Sequence, residues 1–273
     1  MKLFHTAIFG AIALGLASSA MAGRIVLTGH DNDFHRSVGA IAQTQASVDW
    51  LLNGGLAKNV LVIGGSQATS LIDTTSQFFT GSGTNITTKT VGSITALDFD
   101  FSLYSMFVVA SSINCGGCQN PGNTGILLSA FSTAIGAFFN AGGGILGLTS
   151  AGDVGGFNYA PEAATGASLS ASSGFVATPN GIADMPGFVA VNGDATHNTF
   201  ANPGFGGTSS VYKVAERFGT AGLAVTIYAE GSVACIGSAC GFVNPIPEPA
   251  SLALVGLGLF GVVLSRKRMV RVA

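Results

Sequence analysis

From residue 24 to residue 148, short apolar runs alternate with segments in which apolar residues recur at helical spacing. The runs at 24–28, 59–63, 106–110 and 145–148 have the length of buried strands, and glycines follow or precede most of them. Between the first two, Ser37 can cap a helix carrying Val38, Ile41, Val48, Leu51 and Leu52, with Gly54 and Gly55 as its stop. A second helix is expected over 67–79. A third is expected over 126–140, where Leu127, Phe131, Ile135, Phe138 and Phe139 follow helical spacing. Residues 86–91 read as one more short strand. From 150 to about 210 the period dissolves into Gly, Ala, Ser, Asn and Pro, with strand-like pieces such as 187–191, and order returns at 211–218 and 223–228. Strands joined by helical crossovers predict an α/β fold, a mostly parallel sheet with helices on both faces.

The two ends follow other rules. Lys2, an apolar core at 7–16 and the small-x-small site Ala20-Met21-Ala22 read as a signal peptide over 1–22. At the far end, Pro247-Glu248-Pro249 precedes an apolar run at 250–264 and the basic cluster Arg266, Lys267, Arg268. A Pro-x-Pro unit is stiff and extended, which suits an exposed cleavage or recognition element. The run is shorter than the roughly 20 residues that a bilayer crossing takes. The basic cluster would hold the end on the cytoplasmic side, a pattern that a plain C-terminal membrane anchor also fits. The folded domain is therefore expected over 23–243, and the tail over 244–273.

Charge sharpens this division. Between the two ends the chain keeps six basic residues (Arg24, Arg36, Lys58, Lys89, Lys213, Arg217) against twelve acidic ones, a net of −6. Such a domain lacks the basic face that nucleic acid requires. Thin charge with abundant Gly, Ser, Thr and Asn suits an extracellular protein among neutral glycans. The cysteines agree with that compartment. Cys115 with Cys118 and Cys235 with Cys240 are local pairs in an exported chain, so two disulfides are expected. A single Zn²⁺ held by all four thiolates is the alternative.

Candidate chemistry gathers just past the first strand, where open parallel sheets bind ligands. His30, Asp31, Asp33 and His35 fall within six residues and, with His197, could hold a divalent metal ion. The same donors and acceptors suit sugar hydroxyls. The bland alternative is capping of the turn and of the next helix by Asp33 or Ser37. A second constellation, Ser66 in a Gly-Gly-Ser turn with Asp153 or Asp184 and then His197, follows the order of a hydrolase triad. Only about forty residues of the mature chain precede Ser66, too few for the strands that come before a nucleophile elbow. No resident cofactor is expected beyond that metal.

Two resemblances add to this reading. The tail PIPEPASLALVGLGLFGVVLSRKR closely resembles the PEP-CTERM sorting signal of Gram-negative bacteria. That resemblance implies export by way of a signal peptidase, handling by an exosortase, transient membrane residence through 250–264, and delivery to the cell surface or exopolysaccharide layer. Thr28-Gly29-His30-Asp31, the strand at 104–109 and the helix-to-strand passage at 138–151 resemble, in this order, the class I glutamine-amidotransferase-like fold and its ThuA-like branch. The position that carries a nucleophilic Cys in that family, and often a His in the branch, holds Thr149 here, followed by Ser150. The resemblance thus implies a flavodoxin-like, amidotransferase-like fold without glutaminase chemistry, and a crevice lined by loop 30–35, Thr149 and Ser150. The expected function is that of an exported surface or matrix protein with a non-catalytic domain binding glycan or matrix components. The alternatives are a metal-dependent or carbohydrate-acting enzyme, and a structural matrix protein without a specific ligand.

Overall fold

The computed structural model describes residues 22–243 apart from 53–58, 76–84, 113–119, 150–155, 163, 165, 195, 201–210, 221 and 237–238. The signal-peptide and tail segments, the Cys115/Cys118 pair and the end of the expected 67–79 helix lie outside the described residues.

Side chains of the apolar strands divide by parity, because successive Cβ atoms of a strand point to opposite faces. Ile25, Leu27, Leu61, Ile63, Phe107, Val109 and Ile145 enter one buried cluster, while Val26, Val60, Val62, Met106, Val108 and Leu146 enter another. A sheet with a core on each face follows, as expected for parallel strands. The strands are β1 (Gly23–Thr28), β2 (Asn59–Ile63), β3 (Asn85–Lys89), β4 (Met106–Val109) and β5 (Gly144–Gly147). They pair in parallel in the order β3-β2-β4-β5-β1. The flavodoxin order 2-1-3-4-5 is not reproduced in chain order. Here β1 occupies the far end, where that pattern has its fifth strand.

Helices cover both faces. The helix α1 (Val38–Leu51) starts where expected, with the Ser37 hydroxyl accepting from Ala40 N at 3.1 Å. It packs beside α2 (Ser66–Thr75) over the second cluster. The expected 126–140 helix is broken in two, α3 (Thr124–Ser129) and α4 (Ser132–Asn140). The break is a turn at Ala130 and Phe131, held by Phe131 N to Leu128 O at 2.9 Å and by the Ser132 hydroxyl on Ser129 O. It lets Leu128 and Ile135, Phe138 and Phe139 all reach the first cluster.

The remaining strands correct the expectation of a mostly parallel sheet. They are β6 (Gly166–Ala171), β7 (Phe175–Ala177), β8 (Thr196–Phe200), β9 (Lys213–Phe218), β10 (Ala224–Ile236) and β11 (Ala239–Val243), with the short helix α5 (Pro179–Asp184) between β7 and β8. The sheet is mixed: among the described residues four strand pairings are parallel and six antiparallel. Parallel pairing needs a long crossover, usually a helix. The chain after residue 149 has only the six-residue α5 to offer among the described residues, so the strands there turn back on one another. The expected strand at 187–191 is irregular, with Phe188 and Val191 buried.

The strand β10 joins the halves. It runs 13 residues, pairs antiparallel with all of β1 from Gly23↔Gly231 to Thr28↔Thr226, and also pairs with β8, β9 and β11. Beyond β1 it continues into a hairpin with β11, across which Cys235 and Cys240 form the expected disulfide. Asn140 clamps this hairpin to α4, donating to Val233 O and accepting from Val233 N, both at 2.8 Å. Gly136 makes the close approach possible: a Cβ there would lie 2.6 Å from Cys235 Sγ and 3.2 Å from Cys240 Sγ. Gly136→Val should therefore destabilise the oxidised protein by about 1–3 kcal/mol through overpacking. Gly241→Ala, with nothing within 4 Å of its new Cβ, should leave the melting temperature nearly unchanged. Equal melting temperatures for the two variants would contradict this packing.

Candidate functional site

The chain leaves β1 through Gly29, whose N–H donates to Val225 O at 2.7 Å and whose carbonyl accepts from Asn198 N at 3.2 Å. Any Cβ at Gly29 would overlap the Asn198 carbonyl, so β8 seals this strand end. The next four residues, His30, Asp31, Asn32 and Asp33, are only 1–2% exposed. Because β1 and β5 are neighbours, Thr149 reaches the same place, its N–H donating to His30 O at 3.2 Å. The sequence-predicted loop and Thr149 thus meet at one sheet edge, but in the interior.

His30 meets Glu216 there, a residue the sequence reading missed. It is fully buried on β9, opposite Thr226 of β10, and register shifts flank that pair on both sides. Such irregularities re-aim a side chain. The Oε2 atom of Glu216 lies 2.9 Å from His30 Nε2 and accepts from Gln43 Nε2 and the Thr226 hydroxyl, each at 2.9 Å. Its Oε1 accepts from Val191 N at 2.8 Å. The His30 ring packs edge-on against Phe175 at 5.0 Å. Gln43 passes the network on: its Oε1 accepts from Asn32 Nδ2 at 3.1 Å, and Asn32 also donates to Thr44 at 3.2 Å. Thr28 and Thr226 share a hydrogen bond of 2.9 Å.

Asp33 has its own partner. Both its oxygens accept from Ser111, one from the N–H at 3.0 Å and one from the hydroxyl. Burial pushes the Asp33 carboxyl above its ordinary value; the Ser111 bonds oppose the rise and the charge of Asp31 adds to it. His35, one-third exposed, faces Asp31 at 3.7 Å. The backbone of His197 lies in β8 beside Asn198, and its side chain, like Ser150, lies outside the described residues. Among the described residues no three His, Cys, Asp or Glu side chains are placed to hold a metal ion. His30 is turned to Glu216 and His35 to Asp31. Ser66 opens α2 as an exposed residue.

The usual ligand crevice of such a sheet, where strand connections diverge, lies here between β2 and β4. Asn120 fills it, donating to Ile63 O at 3.0 Å and Ala110 O at 2.8 Å. Gly64 (φ 138°) passes so close that a Cβ would collide with Ala110. A signal for the missed partners does exist. Residues 37–48 contain no charged side chain, and a helix without a charged face is a buried one, so Gln43, Thr44 and Ser47 had to find partners inside.

Residues 245–268 match the PEP-CTERM protein-sorting motif. The match supports export across the inner membrane to the cell surface of a Gram-negative bacterium, with an exosortase as the processing partner. Searches of the curated proteins and of the solved structures found no match, so the amidotransferase-like resemblance gains no support there. Among the described residues no helix is long and apolar enough to cross a membrane.

Removing the Glu216 carboxylate takes an acceptor from His30, Gln43, Thr226 and the Val191 N–H. Glu216→Ala should cost about 3–5 kcal/mol in urea unfolding, and the isosteric Glu216→Gln clearly less. A loss below about 0.5 kcal/mol for the alanine variant, the range of ordinary surface substitutions, would refute the network. Asp33 gives a pH test. Its folded value lies above its unfolded one, so the folded state holds this proton more tightly. The stabilisation is present at low pH and is lost as pH rises through the raised value. Asp33→Asn should therefore remove a fall in stability with rising pH that the wild type shows above pH 4. Parallel stability curves from pH 4 to 8 would contradict the assignment.

Proposed function

We propose that this chain is a surface-retained exosortase substrate whose α/β domain binds matrix glycan and does no hydrolytic chemistry. The observation that carries the reading is the sorting motif at 245–268, which begins two residues after β11 ends at Val243. On this reading a signal peptidase removes 1–22, residues 250–264 hold the chain in the membrane until processing, and the cut falls near Pro247-Glu248-Pro249. Several features support it. The Cys235–Cys240 disulfide suits an oxidising compartment. The position of the family nucleophile holds Thr149, 3% exposed, which offers no thiolate. His30 is held by Glu216 inside the protein and so acts as a structural residue. The polar cluster behind loop 30–35 is then the keystone of the fold, and ligand is bound elsewhere on the surface.

Processing is directly measurable. Peptide mapping by mass spectrometry of protein recovered from the surface of the native host should detect β11 peptides and none beyond about residue 250. Recovery of intact 266–273 on surface protein would replace the reading with that of a plain membrane anchor.

A further inference from the structure

At the opposite edge of the sheet from His30, where β1 begins, a cavity of about 540 Å³ opens to the surface. That is within the range of roughly 300–1,000 Å³ typical of small-molecule sites. Its walls come from five elements: Arg24 on β1, Trp50 in the last turn of α1, Asp184 at the end of α5, Lys213 at the start of β9, and Tyr228 and Glu230 on β10. Only 9% of the chain is charged and it has a single tryptophan. Four of the nine residues that line the cavity are charged and a fifth is that tryptophan, a local concentration that packing alone does not call for.

The side chains hold one another in place. Arg24 Nη1 donates to Trp50 O at 2.7 Å, Nη2 pairs with Glu230 at 3.3 Å, and the guanidinium lies 5.0 Å from the indole ring centre. Trp50 meets Tyr228 edge-on at 5.3 Å and 90°. The Tyr228 hydroxyl donates to Asp184 Oδ2 at 2.6 Å, and Lys213 Nζ reaches the same oxygen at 2.9 Å while lying 5.7 Å over the Tyr228 ring. The Tyr228 and Lys213 bonds hold the Asp184 carboxyl below its ordinary value, so it stays an acceptor near neutral pH. Both bonds fall on Oδ2, which leaves Oδ1 for a further donor.

Two cations and two carboxylates cancel, so the cavity has no net charge to attract a polyanion. It offers instead both donors and acceptors beside aromatic rings. Hydroxyl groups need both a donor and an acceptor, and the apolar C–H face of a sugar ring needs a ring to lie against. We propose that this cavity is a binding site for a neutral saccharide unit of the surface polysaccharide. The site rests on the reading of the domain as a glycan-binding module and adds to it a place and a ligand class.

Trp50, the single tryptophan, reports the cavity by its own fluorescence. The test titrates disulfide-intact protein from the native host with neutral oligosaccharides (glucan, mannan and galactan fragments) and separately with alginate, alongside pull-down on each immobilised polymer. The expected result is a saturable change in Trp50 emission with at least one neutral oligosaccharide. Asp184→Asn and Lys213→Met should weaken it about tenfold or more, the loss of one charge-assisted hydrogen bond, with unchanged melting curves. Pull-down of a neutral polymer with flat Trp50 emission and no effect of either variant would overturn the site while leaving glycan binding intact. Binding of alginate alone would overturn the ligand class. No binding to any polymer by either method would overturn the glycan reading itself, and the site with it.

Discussion

One fully buried carboxylate holds the two halves of this protein in register. Groups from four separate parts of the chain converge on Glu216: His30 from the loop after β1, Gln43 from α1, the Val191 amide from the segment after α5, and Thr226 from β10. Taking a carboxylate out of water costs several kcal/mol, and only a full set of donors offsets that. Partial assembly of the site is therefore worse than none, since each missing donor leaves part of the cost uncovered. This makes the cluster a register device. The parallel strands, the helix that crosses them and the antiparallel extension satisfy Glu216 in one arrangement, and a slip of one residue in β9 would turn it to the other face.

The same burial explains why the two edges of the sheet differ. Among the described residues, the edge where parallel α/β proteins bind ligands is occupied by three protein devices: the Glu216 cluster, the Asp33–Ser111 pair and Asn120 between β2 and β4. The edge where β1 begins is open instead, because α5 and the ends of α1 and β9 stand around it without filling it. The hairpin of β10 and β11 extends from that part of the sheet, pinned by its disulfide and by Asn140, and delivers the chain to the sorting segment. The long strand that carries the hairpin is also the one paired with β1, so the domain is tied to its tail through the middle of the sheet.

How much of this was legible in the sequence depended on contrast. The strands beginning near Arg24, Asn59, Met106 and Ile145 stood out because strands buried on both faces are continuous apolar runs, and Ser37 marked the start of α1 by its capping hydroxyl. The antiparallel strands β6 and β8 did not, since small and polar residues (Gly, Ala and Ser in β6, Thr and Asn in β8) give little difference between an inward and an outward face. The break between α3 and α4 was hidden because both helices share one apolar spacing, and only the turn at Ala130 separates them. The loop at His30 was placed correctly at the end of β1. Its pairing with Glu216 was not legible, because the two residues lie 186 positions apart, and no local pattern announces a pair that only the folded sheet creates.

The claim that Glu216 couples the halves is tested most directly by a double-mutant cycle between Gln43→Ala on α1 and Glu216→Ala on β9, read by urea unfolding. Residues within one buried hydrogen-bond network show interaction energies of about 0.5–3 kcal/mol. If Glu216 couples the halves, the double variant loses less than the sum of the single losses, by about 1 kcal/mol or more. Additive losses, within about 0.3 kcal/mol, would mean that helix and strand are stabilised independently and that the carboxylate does not hold them together.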